Sequence, residues 1–327
     1  MVSSSDERVV MWFAMLAAAW AGYGDAVDGF PTWQEREVHT WTNAARVDPA
    51  AFDDDYRAGG CRFDQFESDE KQPKAALAWV PGLQEAARVH SKDMADNRFV
   101  DHASSDGTGT FERIGRYYRG FVVGENVAGP YPNGRNVVMS GWMCSNGHRS
   151  NILEADFTEL GASGIRGYFT QVFGSRGEAP PVMSMGVHTP ENPTGTARLM
   201  VDVSSGARAT DVVAIVNGEA WEMSLAFGDD KRGIWAVDID SDDSCVQYWF
   251  EGTVGGDAVR WPEDGAYGYG DCAFDDDKAQ WFDTGSLIGG GEGRDFRWTE
   301  ERGCASTGHA GWLALLGLLA LRRRQEP

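Results

Sequence analysis

The sequence predicts an α+β domain of helices layered on strands, followed by a smaller all-β sandwich. Three observations lead there. Residues 32–49 and 75–99 carry apolar side chains at helical spacing. The run Tyr168-Phe169-Thr170-Gln171-Val172-Phe173, set between glycines, is rich in strand-forming residues. After Pro180-Pro181 the texture changes to short β-rich runs separated by turn residues. A chain of 327 residues is long for one core and comfortable for two.

In the first unit, Val38, Trp41, Thr42 and Ala45 form one helical stripe within 32–49, and Pro49 ends it. A loop rich in Asp and Gly follows. The second helix is expected over 75–99, with Leu83, Ala86, Ala87, His90 and Met94 on one side and His90 read as a core histidine. A third helix is expected over 135–143, where Val138 and Trp142 share a face. Residues 161–174 read as one strand. Helices before, between and beside strands suggest an α-β-α layering.

The second unit reads as strands at 182–187, 197–203, 211–216, 220–225, 233–239, 246–254 and 258–261. Asn217-Gly218 is a type I′ hairpin signal, and Gly255-Gly256 is a second turn. Seven short strands at this spacing suit an immunoglobulin-like sandwich, a likeness of architecture to early-set and fibronectin-like accessory domains. Trp221, Trp235, Trp249 and Trp261 fill its core or, where exposed, stack on sugar rings. Asp238, Asp240 and Asp242 begin like a calcium loop. Asp243 and Trp249 stand where an EF-hand needs Gly and Glu, so an EF-hand is excluded. Asp275-Asp276-Asp277 leaves room for a looser calcium site.

The net charge is −21, and residues 180–303 hold 24 acidic against nine basic side chains. Such a chain repels phosphate backbones, which argues against nucleic acid as a partner. At the N-terminus, Arg8 precedes an apolar run that ends in Ala19-Trp20-Ala21. This pattern reads as an export signal cut after Ala21, with an uncleaved anchor as the alternative because Asp6 and Glu7 weaken the basic flank. Near the C-terminus, Cys304 precedes the apolar run 312–321 and Arg322-Arg323-Arg324. At about 1.5 Å per residue that run is short for a bilayer, yet the arginines suit a cytoplasmic flank. An exported chain meets an oxidising compartment. Four of the five cysteines then make one bridge per unit, Cys61 with Cys144 and Cys245 with Cys272. Buried free thiols are the alternative, since no C-x-x-C spacing is present.

Polar signatures recur through the first unit: Asn43-x-x-Arg46, Leu77-x-Trp79, Ser91-x-x-Met94, Phe99-x-x-His102, Gly124-Glu125-Asn126-Val127, Trp142-x-x-Ser145-x-Gly147-His148-Arg149-x-Asn151-Ile152-Leu153 and Tyr168-x-x-Gln171. In order and spacing this series resembles the bacterial branch of the CAP superfamily, the SCP or cysteine-rich secretory protein domain. The resemblance implies a three-layer α-β-α sandwich with a central cleft, followed here by the small Ig-like β-sandwich. The expected division is an export signal at 1–21, the CAP domain at 32–178, the sandwich at 180–285, a linker at 286–303 and an anchor tail at 304–327. The tail resembles the sorting tails of myxobacterial-type surface proteins, which implies processing near Cys304, membrane contact before it, and a surface or secreted protein of a Gram-negative bacterium.

In the CAP family the cleft holds two histidines and acidic residues, a set that binds zinc or another divalent cation in some members. Carried over by motif, the ligands here would be His102, Glu125 and His148, with Asn126 and Ser145 beside them in the ligand cleft. Asn126 and Arg149 read rather as loop ties. The animal and plant members have a second glutamate three residues after the helix tryptophan, where this chain has Ser145. Two imidazoles and a carboxylate can hold zinc with a water in the fourth position, which would support hydrolysis of peptides or cell-wall material. No H-E-x-x-H is present, and Glu125 is a poor candidate for both ligand and base. Neither Ser145 nor Cys144 has an identifiable third member for nucleophilic catalysis. The leading expectation is therefore a binding protein for an envelope or extracellular glycan, lipid or protein. Metal-dependent hydrolysis through His102, Glu125 and His148 is the first alternative, and a structural or adhesive coat protein the second.

Overall fold

A computed structural model describes residues 31–177, 181–191, 193–263 and 265–270 and a two-residue strand at 297–298. The expected signal at 1–21, the tail at 304–327, Cys304, Cys272 and Asp275 to Asp277 lie outside the described residues. Among the described residues no helix is long and apolar enough to cross a membrane.

The first helix, α1, spans Trp33–Val47. The Glu35 carboxylate accepts the Thr32 amide at 2.8 Å, satisfying one donor that a helix start leaves open. Two further helices follow in this unit's first half, the short α2 at Asp53–Ala58 and, after the strand β1 at Ala78–Trp79, the long α3 at Pro81–Asn97. The helix expected over 75–99 thus begins six residues late. Proline is favoured in the first helical turn and breaks a helix further in, so Pro81 marks the start and the preceding residues join the sheet.

The remaining elements of the unit are α4 at Thr110–Gly115, β2 at Val122–Ala128, α5 at Gly134–Asn136 running into a π-helical turn at Val137–Trp142, α6 at Asn146–Ile152, β3 at Glu159–Ile165 and β4 at Tyr168–Ser175. Where one strand was expected over 161–174, β3 and β4 form an antiparallel hairpin. Arg166 and Gly167, with φ of 51° and 83°, make the two-residue turn that strand twist favours. The sheet order is β1-β3-β4-β2, and the strand β14 at Arg297–Trp298 adds in parallel to the edge of β2. Helix α3 packs on β3 and β4, and α1 also lies against β3, so the α-β-α layering stands.

The second unit is β5 (Met183–Thr189), β6 (Gly195–Ser204), β7 (Ala209–Val216), β8 (Glu219–Glu222), β9 (Ser224–Asp229), β10 (Arg232–Ser241), β11 (Cys245–Val254), β12 (Asp257–Trp261) and β13 (Tyr267–Gly270). One sheet runs β5-β6-β10-β9. The other runs β8-β7-β11-β12, with β13 pairing the same edge of β11. This is the strand order of a seven-stranded immunoglobulin-like sandwich with two further edge strands, β8 and β13. The strand expected over 220–225 is two strands in different sheets. The chain crosses at Met223, whose amide donates to the Val212 carbonyl at 3.0 Å and whose side chain is buried. Asn217 and Gly218 have the positive φ of the expected type I′ turn. Trp261 is buried, Trp221 and Trp235 pack against the sandwich core, and Trp249 is half-buried with its Nε1 on Glu251 at 2.7 Å.

The two units share a core. Val187, Met200, Ile234 and Ala236 of the β5-β6-β10-β9 sheet lie in one apolar cluster with Val38, Trp41, Ala44 and Leu160. Every residue of α1 from Glu35 to Val47 is buried as a result, with one sheet on each side. Polar bonds cross the same boundary. Arg36 donates to the Gly186 carbonyl at 3.1 Å and to Tyr248 Oη at 3.2 Å, and lies over the Tyr267 ring. Asp202, 1% exposed, accepts the Ser184 and Met185 amides at 3.0 and 2.7 Å, the Ser184 hydroxyl at 2.7 Å and the Asn43 amide group.

Replacing Asp202 with alanine strands these donors in a dry interface, and we expect a loss of about 3–5 kcal/mol in urea unfolding, in a single transition for both units. Glu35 and Glu37 supply a pH signature. Burial pushes each carboxyl up to about 7, although Thr32 and Gly134 backbone amides oppose the rise. A raised carboxyl pKa means that the folded state keeps a proton the unfolded chain has lost. The stabilisation is full below the unfolded value and fades as pH rises through about 7. The melting temperature should therefore fall between about pH 5 and about pH 8, and Glu35→Gln should flatten part of that slope.

Candidate functional site

Strand β2 carries the Gly124-Glu125-Asn126 signature, and strand geometry divides its labour. Neighbouring side chains on a strand point to opposite faces. Glu125 pairs in register with Val172, and Asn126 with Gln171.

On the first face, Glu125 is 1% exposed at its side chain and holds His102, which is 33% exposed. Glu125 Oε1 lies 2.9 Å from His102 Nδ1, and Thr110 Oγ1 approaches the same oxygen at 3.4 Å. Glu125 Oε2 accepts Arg113 Nη2 at 2.5 Å. Arg113 is 1% exposed and reaches from α4. It also donates to the His102 carbonyl from both terminal nitrogens at 3.1 Å, and to Ser104 Oγ at 2.8 Å. Thr110 Oγ1 donates to that carbonyl at 3.0 Å. Burial would raise the Glu125 carboxyl, but the His102 hydrogen bond and the positive charge of Arg113 outweigh it and hold it below the usual range. Glu125 is thus ionised, and Nδ1 of His102 carries the hydrogen it shares with the carboxylate. Behind them His90 is buried, with Nε2 2.7 Å from the Asp101 carbonyl. Burial holds its pKa down, so it is a neutral core histidine.

On the second face, Asn126 is wholly buried, which corrects its expected place in the ligand cleft. Its Nδ2 donates to the His148 carbonyl at 3.1 Å and to Gln171 Oε1 at 3.2 Å, and its Oδ1 accepts Asn151 Nδ2 at 3.0 Å. Gln171 in turn donates to Thr42 Oγ1 of α1 at 2.5 Å. The role of Asn126 is to tie α6 to the sheet.

His148 stands half-buried on α6, and Ser145 half-buried just before it. The Ser145 hydroxyl caps no helix amide; its backbone carbonyl accepts Arg149. Arg149 donates to Glu70 at 2.8 Å and to the Met143 carbonyl at 3.1 Å, as a loop tie should. Cys144 is bridged to Cys61 with Cα atoms 5.3 Å apart, so it is unavailable as a nucleophile. Cys245 is also disulfide-bonded; its expected partner, Cys272, lies outside the described residues.

A divalent cation fits these residues poorly. Among the described residues no three His, Cys, Asp or Glu side chains are grouped to hold one. The structure brings His102 and Glu125 together but does not gather His148 with them into a ligand set. Both Glu125 oxygens already accept hydrogen bonds, one of them from a buried guanidinium. The Asp238, Asp240 and Asp242 run gathers no such set either: Asp238 pairs with Arg198 at 3.6 Å and Asp240 accepts Thr196.

Sequence reasoning missed Arg113 and Thr110. One signal was available: Glu112 and Arg116 pair at helical i, i+4 spacing and satisfy each other on the exposed side, which leaves Arg113 without a local counter-charge.

Residues 40–173 match the model of the cysteine-rich secretory protein family, CAP. The uncharacterized membrane protein YlbC of Bacillus subtilis is 36% identical over 104 residues, 32% of this chain and 30% of that protein. The uncharacterized protein YkwD of the same organism is 34% identical over 93 residues, 28% of this chain and 36% of that one. The chain therefore spans about a third of the length of these relatives. Among solved structures, an extracellular protein containing an SCP domain from Bacillus anthracis is 36% identical, covering 32% of this chain and 35% of that one with a TM-score of 0.30. An outer surface protein from Borrelia burgdorferi is 24% identical, covering 31% of this chain and 77% of that one, with a TM-score of 0.28.

Glu125→Gln leaves Arg113 as a buried cation without its counter-charge. We expect it to cost about 3–5 kcal/mol in chemical unfolding, more than His102→Ala, because one-third of His102 already faces water.

Proposed function

We propose, from the premise that residues 40–173 are a domain of the cysteine-rich secretory protein (CAP) family, that this chain is an extracytoplasmic binding protein whose CAP cleft engages its ligand at His102. The observation that carries this reading is the contrast within one hydrogen-bonded pair. Glu125 is sealed in protein while the imidazole it orients stays one-third exposed. A carboxylate buried behind the imidazole fixes the ring, which offers its part-exposed surface to whatever enters the cleft while Nε2 itself is buried. The same group of atoms serves binding without further parts, whereas the hydrolytic alternative needs a metal-bound water held by His102, Glu125 and His148, which are not grouped as a ligand set among the described residues.

Export is supported by chemistry. The Cys61–Cys144 bridge and the bonded Cys245 suit an oxidising compartment. The apolar run ending at Ala21 has the form of an export signal. The relative YlbC is named a membrane protein, in keeping with an envelope location. The surface charge matters for the partner. A net charge of −21 disfavours polyanions, so neutral or basic envelope polymers, or proteins, fit better than nucleic acid or acidic lipid.

Cosedimentation tests this reading. The purified protein is mixed with isolated cell-wall sacculi and, separately, with neutral phosphatidylcholine vesicles. Binding to either that falls at least about tenfold in His102→Ala, with an unchanged melting curve, supports the cleft as the binding surface. Equal binding by His102→Ala would sink it.

A further inference from the structure

The charge arrangement around Glu125 leads to a conclusion that does not depend on the binding role above. We propose that Arg113 is the built-in cation of this cleft, occupying the place a divalent metal would otherwise fill, so that the His102–Glu125 pair is metal-independent and excludes zinc.

The argument starts from lone pairs. A carboxylate ligand must offer an oxygen to the metal. Glu125 Oε1 is held by His102 Nδ1 at 2.9 Å, with Thr110 Oγ1, whose hydrogen goes to the His102 carbonyl, nearby at 3.4 Å, and Oε2 is held by Arg113 at 2.5 Å. An imidazole ligand must offer a nitrogen: His102 Nδ1 is directed at the carboxylate, and Nε2, the nitrogen left for a metal, is buried away from solvent. Charge points the same way. A guanidinium cannot lose its proton in a protein, and at 1% exposure water does little to screen it. A dication seated on Glu125 would face that fixed positive charge across a few bonds in a low dielectric.

Arg113 is also unable to swing aside cheaply. Its Nη1 is anchored on the His102 carbonyl and Ser104, its Nη2 on the same carbonyl, and its neighbour Ile114 is buried in the cluster formed by α3, β2 and β4. Freeing Glu125 would break every one of those bonds. The same bonds make Arg113 a positioning residue for His102, gripping the histidine's carbonyl directly and its imidazole through Glu125. Two charges then balance within the pair of α4 and β2, and no external cation is needed to neutralise a buried carboxylate.

Calorimetric titration of zinc into the full-length protein at about neutral pH tests this, with circular dichroism to confirm folding. The wild type should show no saturable heat. Arg113→Met keeps the length of the stem without the charge and should tighten zinc binding at least about 100-fold, a gain that vanishes in Arg113→Met with His102→Ala. Arg113→Lys retains a cation and should exclude zinc as the wild type does. Stoichiometric zinc binding by the wild type that is lost in His102→Ala would overturn the proposal, as would a folded Arg113→Met that gains nothing. Should Arg113→Met not fold, the wild type still decides. The His102 ring resonances should be unmoved by excess zinc in NMR spectra, and zinc-induced shifting or broadening there would refute the idea.

Discussion

Helix α1 is enclosed by a sheet on each side, and most of the rest of the structure follows from that enclosure. A helix with one face in water can discard its polar residues there. Between Glu35 and Val47 no such face exists, so Arg36, Glu37, His39, Asn43 and Arg46 must each be accommodated inside protein. Arg36 and Asn43 are satisfied by the sandwich and by the Leu77 carbonyl, Glu37 by the Gly134 amide. His39 meets the demand differently: burial pushes its pKa down to about 3, so it never has to be buried as a cation. Arg46 donates to the carbonyls of Ala75, Ile152, Glu154 and Phe157, closing the C-terminal end of α6 and the approach to β1 and β3.

This arrangement makes the sandwich part of the first unit's interior. In most two-domain chains the boundary is a polar surface that would be stable alone. Here Met200 and Ile234 are in the same apolar cluster as Trp41 and Phe52, and Asp202 is buried by the side chains it binds. The immunoglobulin-like sheet β5-β6-β10-β9 therefore acts as an outer layer for α1, turning an α-β-α sandwich into a stack with a further sheet on one side.

Much of this was legible in the sequence where one local rule decided the outcome. The stripe Val38, Trp41 and Ala45 located α1 to within a residue or two, and Asn217-Gly218 marked the β7–β8 hairpin. Errors arose where two rules competed. Residues 75–80 match the apolar content of the following helix, but Pro81 fixes the boundary, and Ala78 and Trp79 pair with β3. Residues 220–225 look like one strand because an inward-facing Met223 is compatible with alternation, whereas its role is to let the chain change sheets. The enclosure of α1 was not legible at all. Its polar residues look like a solvated face, and only the placement of a partner 150 or more residues away turns Arg36 into a buried group. The candidate site shows the same division. His102 and Glu125 stand on the motif, Asn126 could be read both as a cleft residue and as a loop tie because motifs ignore which face a strand residue occupies, and Arg113 was missed because its partner lies on another element.

The two faces of β2 then have separate consequences that meet at α6. Glu125 faces α4 and fixes His102, while Asn126 faces α1 and holds the backbone of His148 through its carbonyl. Helix α6 is further gripped by Arg46 at its end and by the Cys61–Cys144 bridge just before its start. His102 is held by groups already fixed by bonds to three elements, so under the proposed binding role little ordering would remain to be done. Rigidity of this kind also explains why a permanent cation is useful at Arg113. A guanidinium whose geometry matches a carboxylate is in place as soon as α4 and β2 pack. Under the proposed role of Arg113, the cleft's electrostatic balance is set by folding rather than by the supply of an ion.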